Sequence, residues 1–281
     1  MKIYFTTIIN DNIFNYFKMT IKSFNKTQIN SFKWIIFDCG LSKENLDFIK
    51  KNLKDCVIKH NNFNQYKDIV FEKKNRKEWN NIKSCYGNYN PAYRFDIFDI
   101  NMFKEKFDYI FYVDADIVFL QDLTQKLIKV CNKLGNVKET IIGTPRHFNK
   151  FNLSLEEFFN CGFLGLNRSL LENKKYYEFL IDSVNRKKYQ GNQRVINDMI
   201  RYFRYDLSIY TLSHNENFQQ EFIPNINLNQ IQDINLYHYT GKKDVESLKS
   251  FHKFASQIYG YNKNCEEVSK ELYYNKLVKY I

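Results

Sequence analysis

The stretch Tyr109-Ile110-Phe111-Tyr112-Val113-Asp114-Ala115-Asp116 decides how this chain is read. Five consecutive bulky residues predict a short strand apolar on both faces, as in the centre of a covered parallel sheet. Two carboxylates follow at once, and open α/β sheets bind ligands beyond the carboxyl ends of their strands. If the chain stays extended, Asp114 and Asp116 project to one side. Burying two carboxylates beside an apolar strand is costly without a cation. Hard oxygen ligands suit Mg²⁺ or Mn²⁺, which can bridge the oxygens of a diphosphate.

On the N-terminal side of this strand, β-prone and helical segments alternate. Ile3 to Ile9 predicts a strand, and Ile13, Phe14, Phe17, Ile21 and Phe24 recur at helical spacing. A second strand, Lys33 to Phe37, runs into Asp38-Cys39-Gly40, a helix carries Leu46, Phe48, Ile49 and Leu53, and Cys56 to Lys59 forms a third strand. Parallel strands need crossovers and helices supply them, so the expectation is an α/β fold with a mostly parallel central sheet flanked by helices. Residues 63–90 are irregular and polar, and Lys73, Lys74, Arg76 and Lys77 there make either a solvated face or a lid. Pro91 suits a first helical position, and Tyr93, Ile97, Ile100 and Phe103 continue that helix, which carries Arg94 and Asp96.

Beyond Asp116, Leu123 to Leu134 predicts a helix stopped by Gly135, and Ile141-Ile142 and Gly162 to Leu166 predict strands. Ser169-Leu170-Leu171-Glu172 fits a capping box opening a helix through Val184. Another helix spans Gln193 to Phe203, with strands around Ile209-Tyr210 and Leu236 to Tyr239. His238 ends that last strand, just before Gly241, Lys242 and Lys243. An imidazole there can complete a metal shell, while close backbone approach and ammonium charge suit phosphate oxygens.

The 281 residues, 44% hydrophobic and 17% aromatic, can bury one large core, which excludes a disordered chain. Nine Gly and three Pro exclude collagen-like and Pro-rich architectures. Cys39, Cys56, Cys85, Cys131, Cys161 and Cys265 show no C-x-x-C spacing and are expected to be free thiols in a reducing compartment. The first ten residues lack an export signal, and no run of about 18 apolar residues could span a bilayer, so the expected location is cytoplasmic. A net charge of +11 favours anionic partners: nucleotides, nucleic acid or acidic membranes. A basic nucleic-acid-binding protein is one alternative, but the charges are spread along the chain rather than gathered in an arm. A sugar nucleotidyltransferase is another, disfavoured by the lack of a Gly-rich phosphate loop after the first strand. Residues 1–247 are assigned to the main domain and 248–281 to a helical, basic and aromatic extension, which either packs on that domain or docks peripherally on an anionic membrane.

Phe111-Tyr112-Val113-Asp114-Ala115-Asp116-Ile117-Val118, Asn160-Cys161-Gly162-Phe163-Leu164-Gly165-Leu166-Asn167, Asn192-Gln193-Arg194-Val195-Ile196-Asn197 and His238-Tyr239-Thr240-Gly241 occur in that order. Together they resemble the ordered motifs of family 8 glycosyltransferases. The resemblance runs from the first strand to His238 and leaves the tail uncovered. It implies a GT-A, Rossmann-like fold and a retaining hexosyltransferase. The implied donor is a UDP-hexose, used with Mn²⁺ or Mg²⁺, and the implied acceptor a glycan, lipid-linked or protein group.

Carried over residue by residue, the resemblance gives Asp114, Asp116 and His238 to the metal, with Asp114 and Ala115 against the nucleotide and Arg94 directed at the donor. Thr6, Thr7 and Asn12 would line the uridine pocket. Asn160, Cys161 and Gly162 would face the donor sugar, and Gln193 would stand at its reactive face. Where relatives carry Asp-Gln this chain has Asn192-Gln193, and it lacks their Lys-Pro-Trp after the His-x-x-Gly, leaving Gly241 with Lys243 or Lys242 for the diphosphate. With no evident carboxylate nucleophile, retention is expected through front-face attack, the leaving phosphate taking the acceptor's proton.

Overall fold

The computed structural model describes residues 1–27, 32–60, 91–136, 138–145, 159–185, 192–213, 216–219 and 235–238. The basic cluster at residues 73–77, Cys85, Gly241, Lys242, Lys243, Cys265 and the extension 248–281 lie outside them.

Seven strands form the main sheet: β1 (Ile3–Ile9), β2 (Lys33–Asp38), β3 (Cys56–His60), β4 (Tyr109–Val113), β6 (Thr140–Pro145), β7 (Phe159–Asn167) and β8 (Ser208–Thr211). Their order is β3-β2-β1-β4-β7-β6-β8. Every pairing is parallel except those of β7, which runs antiparallel to both β4 and β6. The mostly parallel sheet is as expected. The reversal of β7 puts the start of that strand, rather than its end, at the carboxyl edge of the parallel strands.

A smaller sheet stands beside that edge, ordered β5 (Ile117–Phe119), β10 (Leu236–His238), β9 (Phe218–Gln219). Its register pairs His238 with Ile117 on one side and Gln219 on the other. The residue that ends β10 therefore arrives next to the one that follows Asp116.

Helices cover both faces of the main sheet. On one face, α1 (Phe14–Thr27) and α3 (Thr124–Leu134) join the aromatic core of β1, β2 and β4. On the other lie α4 (Arg168–Glu172), α5 (Lys175–Asn185) and α6 (Asn192–Tyr202) with the segment from Pro91. The amphipathic α2 (Lys43–Asn52), capped by Ser42, buries Ile49. Phe5 of β1 is fully buried, with Phe32, Trp34 and Phe119 rings centred 4.7, 5.4 and 5.8 Å away. Such ring pairs add to area burial and make the centre of the sheet an aromatic cluster.

Three local expectations are corrected. The helix from Pro91 is a 3₁₀ helix, Pro91–Phe98, followed by a separate turn at Ile100–Met102. Asp99 splits them because its carboxylate takes the Asn101 N–H at 3.0 Å, competing with helix continuation. The helix expected to open with Ser169 is capped instead by Asn167, whose Oδ1 accepts from Leu170 N at 3.1 Å. It stops at Asn173, which caps α4 through its N–H and accepts from Lys175 N at the start of α5. The strand expected from Gly162 starts at Phe159, so Asn160, Cys161 and Gly162 are strand residues. Gly135 ends α3 as expected, at φ 63°.

Among the described residues, Cys39, Cys56, Cys131 and Cys161 are free thiols, and no helix is long and apolar enough to cross a membrane. Phe5→Ala should lower unfolding free energy by about 3–5 kcal/mol, read from urea denaturation, because the rings around it cannot close a cavity of that size.

Candidate functional site

The carboxyl end of β4 carries the first two groups. Asp114-Ala115-Asp116 does not stay extended: the Ile117 N–H reaches back to Asp114 O at 3.3 Å, making a turn between β4 and β5. That turn still brings both carboxylates to one place, in front of His238. Its Nε2 lies 3.5 Å from Asp114 Oδ2 and 3.4 Å from Asp116 Oδ1. Ligand atoms of the three side chains all lie within 4.8 Å of one another.

Several bonds fix the turn. Behind it, Thr20 of α1 donates its hydroxyl to Ala115 O at 2.7 Å, and Ser23 Oγ accepts from Phe119 N at 3.0 Å. In the sheet, Asp114 N donates to Gly162 O at 2.8 Å. Asp114 Oδ1 accepts from Arg94 Nη2 at 2.5 Å and from Tyr112 Oη at 2.8 Å. The Arg94 guanidinium also lies 4.8 Å from the Tyr112 ring centroid, so one aromatic platform aims both partners at the same oxygen.

Gly162 is what lets His238 approach. A Cβ there would overlap His238 Cε1 and lie 2.7 Å from Asp114 Oδ2. The imidazole fills that space with its side chain only 4% exposed. Its Nδ1 is buried with no hydrogen-bond partner among the described residues, so the ring is held by packing and by the carboxylates before Nε2.

Charge balance follows from these neighbours. Burial opposes ionisation of Asp114, but Arg94 and then His238 outweigh it and hold the carboxyl below its ordinary value. Burial likewise opposes a charged His238, and Asp116 with Asp114 outweighs it, raising the imidazole above its ordinary value. Among the described residues, Arg94 is the permanent cation paired with these carboxylates. A proton on His238 or a metal ion would add positive charge beside both carboxylates. Two oxygen donors and one imidazole, converging in a buried site, fit a divalent ion of the Mn²⁺ type.

The sugar-facing candidates sit on the next strand and helix. Asn160 Oδ1 accepts from Gly162 N at 2.9 Å and from Asn217 Nδ2 at 3.4 Å. Cys161 Sγ lies 4.0 Å from Gln193 O, joining β7 to the first turn of α6. Gln193 Nε2 is buried with no partner among the described residues, while Asn192 is buried beside it.

The uridine candidates are dispersed. Thr6 faces Tyr112 across the β1–β4 register and donates its hydroxyl to Ile35 O at 2.9 Å. Strand alternation turns Thr7 to the other face, the side of α1, with its hydroxyl buried and unpartnered among the described residues. Asn12 is exposed in the turn between β1 and α1. The structure therefore gathers Asp114, Asp116, His238, Arg94 and Gly162, ties Asn160, Cys161 and Gln193 to one another, and does not give Thr6 and Thr7 a common side-chain face. Sequence reading missed Tyr112, Thr20, Asn197 and Asn217. Tyr112 was detectable, since residues two apart on a strand share a face; Thr20 was detectable as a polar residue on the buried stripe of α1.

No protein-family model matches the chain, and no curated protein matches it in sequence. Solved structures do match. The galactosyltransferase LgtC, determined with donor and acceptor sugar analogues, superposes with a TM-score of 0.63 at 15% identity, covering 92% of this chain and 96% of that one. The fold is that of the GT-A glycosyltransferases. GlyE of Streptococcus pneumoniae gives 0.61 at 15% identity, covering 98% of this chain and 64% of that one. Mouse xyloside xylosyltransferase 1 gives 0.54 at 11%, covering 87% and 99%.

Gly162→Ala should weaken Mn²⁺ binding at least about tenfold, measured by electron paramagnetic resonance titration, because the added methyl displaces a ligand ring and a ligand carboxylate. Unchanged affinity would remove His238 from the metal shell.

Proposed function

We propose that this protein is a metal-dependent, retaining glycosyltransferase that moves a hexose from a UDP-sugar to a hydroxyl of a glycan, lipid-linked or protein acceptor. One observation carries the reading: Asp114, Asp116 and His238 converge beside Arg94 at the carboxyl end of the central strand of a GT-A fold. The fold shared with a galactosyltransferase crystallised with donor and acceptor analogues supports sugar transfer as the reaction class.

Asp114, Asp116 and His238 would hold the ion, with Mn²⁺ preferred and Mg²⁺ the alternative. A bound divalent ion supplies charge neutralisation for the diphosphate as it departs. Arg94 adds a fixed positive charge next to Asp114, held over the Tyr112 ring, where it can meet a donor oxygen without reorganising. Gly241 and Lys243 are assigned to the diphosphate. Asn160, Cys161, Gly162 and Gln193 are assigned to the sugar, the Gln193 amide nitrogen having no partner among the described residues.

Retention is assigned to attack on the face the leaving group vacates. The anomeric carbon–oxygen bond to the diphosphate breaks, the acceptor oxygen bonds to that carbon, and its proton passes to the departing phosphate oxygen. Among the described residues assigned to the sugar, Asn160, Cys161, Gly162 and Gln193, none is a carboxylate that could form a glycosyl ester.

Two measurements test the proposal. Nucleoside diphosphate release across UDP-, GDP- and ADP-sugars should occur with one UDP-sugar and Mn²⁺, stop with chelator, and fall to background in Asp116→Ala. Release that survives both chelation and Asp116→Ala would overturn metal dependence. Arg94→Ala should lower kcat/KM by about 100-fold while the fold persists by circular dichroism, the scale expected for one preorganised charge at a departing phosphate.

A further inference from the structure

We propose that Asn197 is a positioning residue that sets Gln193 against the Asn160–Gly162 end of β7, and so governs placement of the donor's sugar rather than of its nucleotide. The inference rests on the glycosyltransferase reading and assigns a function to a fully buried side chain behind the residues that reading assigns to the sugar.

Asn197 lies one helical turn beyond Gln193 on α6 and is fully buried. Its neighbours Val195, Ile196, Met199 and Ile200 are apolar and buried, so an aliphatic side chain is what this helix face would otherwise carry. A buried carboxamide is costly unless its bonds are made, and here both ends are engaged. Oδ1 accepts from Phe159 N at 2.6 Å. Nδ2 donates to Phe159 O at 3.0 Å and to Gln193 O at 2.6 Å, and lies 3.8 Å from Cys161 Sγ.

Those partners are the two segments that carry the sugar-facing residues. The β6–β7 ladder shifts register between Gly143 and Thr144, and the residue opposite Phe159 is Pro145, which has no N–H to give. The Asn197 amide bonds both backbone groups of Phe159, just where β7 begins and its ladder with β6 ends. The same amide nitrogen holds the Gln193 carbonyl, fixing the first turn of α6 against that strand end. Asn160 is the next residue of the strand, and the unpartnered Gln193 Nε2 belongs to the residue so anchored. Asp114, Asp116, His238 and Arg94 are carried by β4, the turn after it, β10 and the 3₁₀ helix, and Gly162, the β7 residue against them, is tied to β4 by its own bond from Asp114 N at 2.8 Å. Loss of Asn197 therefore separates sugar placement from nucleotide and metal binding.

Asn167 provides the structural comparison. It is also a fully buried Asn on β7, at the opposite end, with Oδ1 accepting from Thr140 N at 2.8 Å and Nδ2 donating to Lys138 O at 2.8 Å. The experiment compares the wild type, Asn197→Ala, Asn197→Asp and Asn167→Ala in the full chain. It measures melting, UDP affinity with Mn²⁺, and steady-state turnover of the UDP-sugar that the wild type hydrolyses. Asn197→Asp keeps volume and the Phe159 N–H acceptor while removing both amide donors, so it decides the matter if Asn197→Ala fails to fold.

Both Asn197 variants should keep UDP affinity within about twofold and lose kcat by about 100-fold, the scale of a small misplacement of a reacting group. Asn167→Ala should melt lower with kcat within about twofold of wild type. Gln193→Ala/Asn197→Ala should be no slower than Gln193→Ala alone, since one residue acts through the other. Wild-type kcat in the Asn197 variants, an equal loss in Asn167→Ala, or multiplicative losses in the double variant would overturn the inference while leaving glycosyl transfer intact. A folded wild type that releases no nucleotide from any UDP-sugar would overturn the glycosyltransferase reading, and the inference with it.

Discussion

Position 162 has no room for a side chain, and the site is organised around that fact. The space a Cβ would take is filled by the imidazole of His238 and a carboxylate oxygen of Asp114. The same residue's carbonyl receives the Asp114 amide. One glycine therefore sets the depth of a ligand from a distant strand and the direction of the neighbouring strand's first carboxylate. It can do so only because β7 runs against the parallel strands and starts at their carboxyl edge. Reversing a single strand in an otherwise parallel sheet gives the site two backbones to build from instead of one.

The two halves of the site are stabilised by different physics. Around the ion position the strongest forces are electrostatic, with two carboxylates set against Arg94 and a titratable imidazole in a place where water is largely excluded. Around Asn160 and Gln193 neutral hydrogen bonds from buried amides prevail, of modest individual worth but directional. On the function proposed above, charge would meet the diphosphate and directional bonds the hydroxyls of a sugar ring. The two halves meet at Asn160 and Gly162, where the Asn160 side chain accepts the Gly162 amide.

Much of this was legible in the sequence because it rested on local patterns. The apolar run from Tyr109 to Val113 could only be a buried strand, and a pair of carboxylates at its end needed a cation. Gly135 as a helix stop follows from its tolerance of positive φ. Less legible were features set by competing local bonds: Asp99 dividing the helix after Pro91, and Asn167 rather than Ser169 opening α4. The turn at Asp114 to Asp116 was hidden because its shape depends on Thr20 of α1, far away in sequence. Asn197 was hidden for a similar reason. The role proposed for it rests on bonds to Phe159, 38 residues away, a relation that exists only once α6 lies against the start of β7.

The pairing of β10 with β5 bears on how the protein assembles during synthesis. Both aspartates belong to the N-terminal half of the sheet, whereas His238 is translated long after them and reaches them only when its short strand docks. Until β10 docks, the carboxylates lack this third partner and β5 lacks the strand it pairs with among the described residues. An ion that binds the assembled trio but not the open edge favours docking by mass action. The ion proposed for chemistry would then also be a latch on the last strand, making metal supply a condition for completing the fold as well as for turnover.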